Sequence, residues 1–148
     1  MKNNNTILTD KQIKILRLRK EGLSQTEIAK MLKTTKQNVS SIERGAWQKI
    51  ERAKNTLLFV KILEAPIVIT MEKNSIIGDV IKKIYEEADK NDIHVLYDEI
   101  SLITMIKESI GERIQHRKIL TDLTVGITDT GDVLIFNCNK INKEFCRD

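Results

Sequence analysis

The sequence predicts an α+β chain: an all-α N-terminal domain followed by a small mixed α/β sandwich. Three observations carry this. Helical apolar spacing with repeated capping signals occupies residues 1–64, whereas β-branched runs alternate with helical spacing beyond it. The chain's single proline, Pro66, falls where the charge changes sign. Through Leu63 there are 14 Lys and Arg against 5 Asp and Glu, a net +9; from Glu64 onward there are 11 against 16, a net −5. The expected domains are therefore 1–64 and 65–138, with a mobile tail at 139–148.

A chain of 148 residues that is 41% apolar can bury a packed core. Its densest apolar stretch, 57–70, is interrupted by Lys61, Glu64 and Pro66, and so falls short of the roughly 20 apolar residues of a membrane span. Residues 1–5 lack the apolar run of a secretory signal, so a cytoplasmic location is expected. Cys138 and Cys146 lie without the second close pair of a zinc site and are expected to be buried or bland thiols.

The first helix is announced by Thr9 with Gln12 three positions on, a capping box, and ends at Gly22, with Leu23 free to pack back. Ser24 and Glu27 repeat the signal, and Ile28, Ala29 and Leu32 give the second helix its buried face. Thr35 caps a third helix with Val39, Ile42, Ala46 and Ile50 inward; Gly45 predicts a bend or pause before a further helical run to Leu63. Trp47, at helical spacing, is expected in the core.

Beyond Pro66, residues 66–71 read as a strand, and Ile77, Val80, Ile81, Ile84 and Ala88 trace an amphipathic helix. Residues 93–97 read as a second strand, and Asp98 caps a helix closed by Gly111. Residues 112–122 are ambiguous. Asp129-Thr130-Gly131 joins two strands into a hairpin. The strand, helix, strand order predicts a parallel pair with a right-handed crossover.

The residues that carry chemistry lie around the third helix. Ala29, ten positions before Val39, is small where two helices must cross closely, and Ile28, Leu32, Val39 and Ile42 fix their angle; this is a helix-turn-helix. With Val39 and Ile42 inward, Gln37, Ser40, Ser41, Arg44 and Gln48 point outward, and Lys36 and Asn38 lie at the exposed first turn. Arg can bind guanine bidentately, Gln and Asn can bind adenine, Ser adapts to either, and a helix N-terminus attracts phosphate. These seven are the candidate contacts to double-stranded DNA.

The segment L-T-x5-I-L-x-L-x3-G-L-S-x2-E-I-A-x2-L-x-T-T-x3-V resembles the output domain of LuxR-type regulators and region 4 of sigma factors. The continuation S-S-I-E-R-G-A-W-Q-K-I-E-R-A-K-N-T-L, with a compact α/β tail, resembles the archaeal Tfx family of DNA-binding transcriptional regulators. The resemblance implies a DNA-binding helix at residues 36–44. Lys33 stands in the turn where helix-turn-helix proteins often carry glycine.

No phosphate-cradling glycine loop, nucleophile elbow or zinc signature occurs, so no catalytic residue, metal or cofactor is expected. His94 and His116 have no partner at ligand spacing. The expected function is sequence-specific transcriptional regulation through the major groove. A homodimer and a small-molecule effector of the second domain are the further partners considered, and no membrane. The alternatives are a targeting arm of a DNA-processing enzyme, or a sigma-like module held by polymerase.

Overall fold

Thr9 opens α1 (Asp10–Lys20) as the capping box requires: its Oγ1 accepts from the Gln12 N–H at 3.2 Å, and Gln12 Oε1 accepts from the Thr9 N–H at 3.0 Å. The computed structural model describes residues 5–111 and 113–138. At the end of α1, Leu23 N–H donates to Leu18 O and Gly22 N–H to Arg19 O, with Gly22 at φ +96°. This is the left-handed closure for which glycine is suited.

The second helix, α2 (Gln25–Met31), repeats the scheme with Ser24 and Glu27. It closes through the same pair of bonds, Thr34 N–H to Ala29 O and Lys33 N–H to Lys30 O. Here Lys33 takes the left-handed position at φ 54°. A side chain at such a position costs about 1–2 kcal/mol, which the helix-turn-helix core carries.

α3 (Lys36–Glu64) is one helix of 29 residues. The pause at Gly45 and the separate fourth run that local propensity predicts do not form. The missing Cβ gives the reason: it would stand 3.3 Å from Gln12 Nε2. Gln12 is buried and its Oε1 also receives Lys49 Nζ at 3.0 Å, so the glycine admits a polar tie between α1 and α3. Ile15, Ile28, Ala29 and Val39 are the core of this region, ringed by Leu18, Leu23, Leu32 and Ile42.

The chain forms two compact units, Met1–Asn55 and Thr56–Asp148, which divide inside α3. In the second, β1 (Ile67–Met71) is followed by α4 (Ile77–Lys90), α5 (Glu99–Ile110), β2 (Ile114–Gln115), β3 (Lys118–Ile119), β4 (Leu123–Ile127) and β5 (Val133–Asn137). The main sheet has the order β1-β4-β5 and is antiparallel throughout, with Val68 opposite Gly126 and Gly126 opposite Leu134.

Alternation decides what each face of that sheet buries. Ile69, Leu123, Val125 and Ile127 meet Val80, Ile84, Leu102 and Ile106 from the two helices. On the opposite face a Cβ at Gly126 would lie 3.3 Å from Ile62 Cγ1 and 3.4 Å from Ala65 Cβ, so the glycine lets the last turn of α3 seat on the strand. The α+β class holds as expected, with a helical N-terminal part and, among the described residues, sheets only in the second unit.

One expected element is absent. Residues 93–97 are an irregular connector that bends at Leu96 and Tyr97, not a strand. Val95 is buried in the core, but Leu96 N–H donates to Gly131 O at 3.0 Å, so the segment passes the β4–β5 turn instead of running along a strand. Tyr97 Oη donates to Asp132 Oδ1 at 2.6 Å and Tyr85 Oη to Tyr97 O at 2.7 Å, fixing that path. The parallel pair and its crossover therefore do not form, and His94 lies in the connector. The ambiguous region 112–122 holds the β2–β3 hairpin, apart from Glu112, which is outside the described residues.

Cys138 is buried, as one of the two expectations has it, but it is disulfide-bonded and so not a thiol. Cys146 and the tail expected at 139–148 lie outside the described residues. Among the described residues, no helix is long and apolar enough to cross a membrane.

Candidate nucleic-acid interface

Thr35 begins α3 by accepting the Asn38 N–H on its Oγ1 and the Val39 N–H on its backbone oxygen, both at 3.1 Å. Asn38 Nδ2 reaches back to Thr34 Oγ1 at 2.9 Å, tying the first turn of the helix to the turn before it. Val39 is fully buried and Ile42 packs against the same core. Those two anchors set the rotation of α3, so its other faces follow from helical geometry.

Lys36, Gln37, Asn38, Ser41, Arg44 and Gln48 are exposed; Ser40 is half-buried. Gln37, Ser41, Arg44 and Gln48 recur at spacings of four, three and four, which puts them on one stripe. Ser40 flanks that stripe beside the buried Val39. Lys33, Lys36 and Arg44 enter no ion pair among the described residues, so their charge is uncompensated at this surface.

Glu43 is the functional neighbour that the residue pattern did not single out. Its Oε1 accepts from Arg19 Nε at 3.1 Å and its Oε2 from Gln25 Nε2 at 2.8 Å, while Trp47 also donates to it. One carboxylate thus joins all three helices. Its signal in the sequence was being the lone acid between Lys36 and Ile50. Burial pushes its pKa upward, but the hydrogen bonds from Gln25 and Arg19, the Arg19 charge and the Trp47 bond outweigh burial and hold it below the ordinary carboxylate range.

A depressed folded-state pKa means that this stabilisation is present above the unfolded-state pKa and is lost as pH falls through the folded one. Replacing Glu43 by Gln is expected to cost about 1–3 kcal/mol at neutral pH, because three donors lose a charged acceptor. The gap between variant and wild type should close on acidification below the ordinary carboxylate range. Fluorescence of Trp47, the chain's sole tryptophan, in urea titrations reads both effects. A gap that stays constant from neutral to acid pH would contradict the assignment.

Trp47 itself is 54% exposed, which corrects the core position expected for it. Ala46 takes the inward position at this level, and the next residue is turned about 100° away. The indole lies with Leu16, Arg19, Lys20 and Leu23 around a shallow pocket.

Two capped helices, a tight turn, and a third helix held by Val39 beneath an exposed cationic and amide stripe define a helix-turn-helix protein, here joined to an α+β domain. Comparison with known proteins places it further. Residues 7–52 match the family model described as sigma-70, region 4, and residues 53–135 match the one described as DNA-binding protein TFX, C-terminal. The chain is 42% identical over 130 residues to the DNA-binding protein Tfx of Methanothermobacter marburgensis, covering 88% of this chain and 94% of that one. The DNA-binding protein Tfx of Methanothermobacter thermautotrophicus matches with the same identity and coverage. The chain belongs to the Tfx family.

Proposed function

We propose that this chain is a sequence-specific transcriptional regulator that binds double-stranded DNA by inserting the N-terminal turns of α3 into the major groove. The observation that carries the reading is the stripe of Gln37, Ser41, Arg44 and Gln48 over the buried anchors Val39 and Ile42. A major groove about 12 Å wide admits one helix. In this arrangement Arg44 binds a guanine edge, Gln37 and Gln48 bind adenine edges, and Ser40 and Ser41 adapt to either. Lys36, Asn38 and the helix N-terminus hold phosphate.

Residues 1–64 act as the DNA-binding domain and 65–138 as a regulatory or dimerisation domain that takes a small-molecule effector or a second copy. The protein works in the cytoplasm and is no enzyme, in keeping with relatives named as DNA-binding proteins. A homodimer follows from size: one helix-turn-helix covers on the order of 600–1,000 Å², so tight binding calls for two half-sites about one helical turn apart. The exposed Leu57, Val60 and Leu63 at the end of α3, with Val68 on β1, are among the exposed apolar side chains that could join two copies.

Selection of bound duplexes from a random-sequence pool by the purified chain alone tests the proposal. The expected result is enrichment of one motif repeated as two half-sites. No enrichment without polymerase would favour the sigma-like module instead.

A further inference from the structure

Among the described residues of the acidic part, the β2–β3 hairpin gathers exposed cations, and the DNA-binding reading makes no use of them. In the β2–β3 hairpin Ile114 pairs with Ile119 and Gln115 with Lys118. Ile119 is fully buried and Ile114 packs against the core, so alternation turns Arg113, Gln115 and Lys118 outward. His116 and Arg117 form the tip. All five are exposed, and Arg113, Arg117 and Lys118 enter no ion pair among the described residues. The lysines of α4 differ: Lys82, Lys83 and Lys90 are each paired with Glu86 or Glu87.

The tip is also held in a conformation that its side chains resist. His116 has φ 51° and Arg117 φ 62°, two successive left-handed residues of the kind a two-residue hairpin normally fills with Asn-Gly. The surrounding backbone enforces it. Ile77 N–H donates to Arg117 O at 2.8 Å, Asn74 N–H to Ile119 O at 2.7 Å, Ile119 N–H to Ser75 O at 2.9 Å and Leu120 N–H to Arg113 O at 2.7 Å. Strain of this sort, kept where a glycine would relieve it, points to a use for the side chains.

We infer that the β2–β3 hairpin is a second contact for the sugar-phosphate backbone of duplex DNA, made by Arg113, Arg117 and Lys118. The inference rests on the DNA-binding reading above. Three cations without ion pairs among the described residues, on a hairpin tied by backbone hydrogen bonds, suit a polyanion with closely spaced charges, and each phosphate they neutralise releases counterions. The contact carries no sequence information and adds affinity at any site.

The test is the salt dependence of binding of the full chain to a mixed-sequence duplex. Changing Arg113, Arg117 and Lys118 together to Gln should make the slope of log affinity against log salt shallower by about 2–3, and lower affinity roughly 100-fold near 0.1 M salt. Changing Lys82, Lys83 and Lys90 to Gln removes the same charge from paired positions and should leave the slope nearly unchanged. A third variant, His116→Asn with Arg117→Gly, should melt above the wild type yet bind DNA less tightly, which a purely structural turn would not do. A wild type that binds no duplex defeats the DNA-binding reading itself. A wild type that binds while the hairpin variant keeps its slope and affinity overturns the hairpin contact alone and leaves these cations to an acidic protein partner. Equal losses in the hairpin and α4 variants also overturn it, because total charge then accounts for the effect.

Discussion

Gly131→Ala is expected to destabilise the second unit by about 3 kcal/mol or more. Gly131 closes the β4–β5 turn at φ +89°, where a side chain costs about 1–2 kcal/mol by itself. An added Cβ would overlap the carbonyl oxygen of His94 and stand 3.0 Å from its carbon. Retreat is blocked, because Gly131 N–H donates to Thr128 O and its own oxygen receives the Leu96 N–H. Backbone has to move, at about 1–3 kcal/mol for an overpacked site. At roughly 4–8 °C per kcal/mol, the melting temperature should fall roughly 12–24 °C. Gly126→Ala is the informative contrast. Its nearest neighbour is a side-chain atom, Ile62 Cγ1, which can turn aside, so the loss there should be clearly smaller. Equal melting temperatures for Gly131→Ala and wild type would refute the packing described for this turn.

The second large effect is expected at the DNA surface. Arg44 and Gln37 lie on one exposed stripe of α3, seven positions and two helical turns apart. A good bidentate contact to a base is worth about 1–3 kcal/mol, so replacing both by Ala should weaken binding to the preferred duplex by about 2–6 kcal/mol, or between about 30-fold and 10⁴-fold. Binding to mixed-sequence duplex should fall far less, since phosphate contacts remain. Both side chains are exposed, so helix content and melting should match the wild type. A double variant that loses affinity equally for preferred and mixed-sequence duplex would show that these residues hold the backbone and do not read bases.

Much of this architecture was legible in the residues, and the failures share one physical cause. The ends of α1 and α2 were readable because a capping box and a left-handed closure are made by residues within five positions of each other. The exposed stripe was readable because Val39 and Ile42 fix the rotation of α3. What local pattern could not supply were partners far along the chain. Gly45 looks like a break until Gln12 is seen to need the space. Residues 93–97 alternate like a strand, but the partner of Leu96 is a turn carbonyl supplied by Gly131. Trp47 and Glu43 were misjudged or passed over for the same reason, since the arrival of Arg19 and Gln25 at one carboxylate depends on how three helices meet. The cationic hairpin stayed hidden because its turn holds His and Arg where local rules expect Asn and Gly.

The central claim is that the N-terminal turns of α3 lie in the major groove with Arg44 on a guanine. Guanine N7 is a major-groove atom, and its methylation by dimethyl sulfate reports directly on occupancy there. On a duplex chosen by selection, wild-type protein should protect guanine N7 within each half-site while leaving minor-groove adenine N3 reactive. The Arg44→Ala chain, bound at saturating concentration, should lose protection at one guanine per half-site and keep it elsewhere. Protection of adenine N3 with guanine N7 fully reactive, or an unchanged pattern in the variant, would contradict the account.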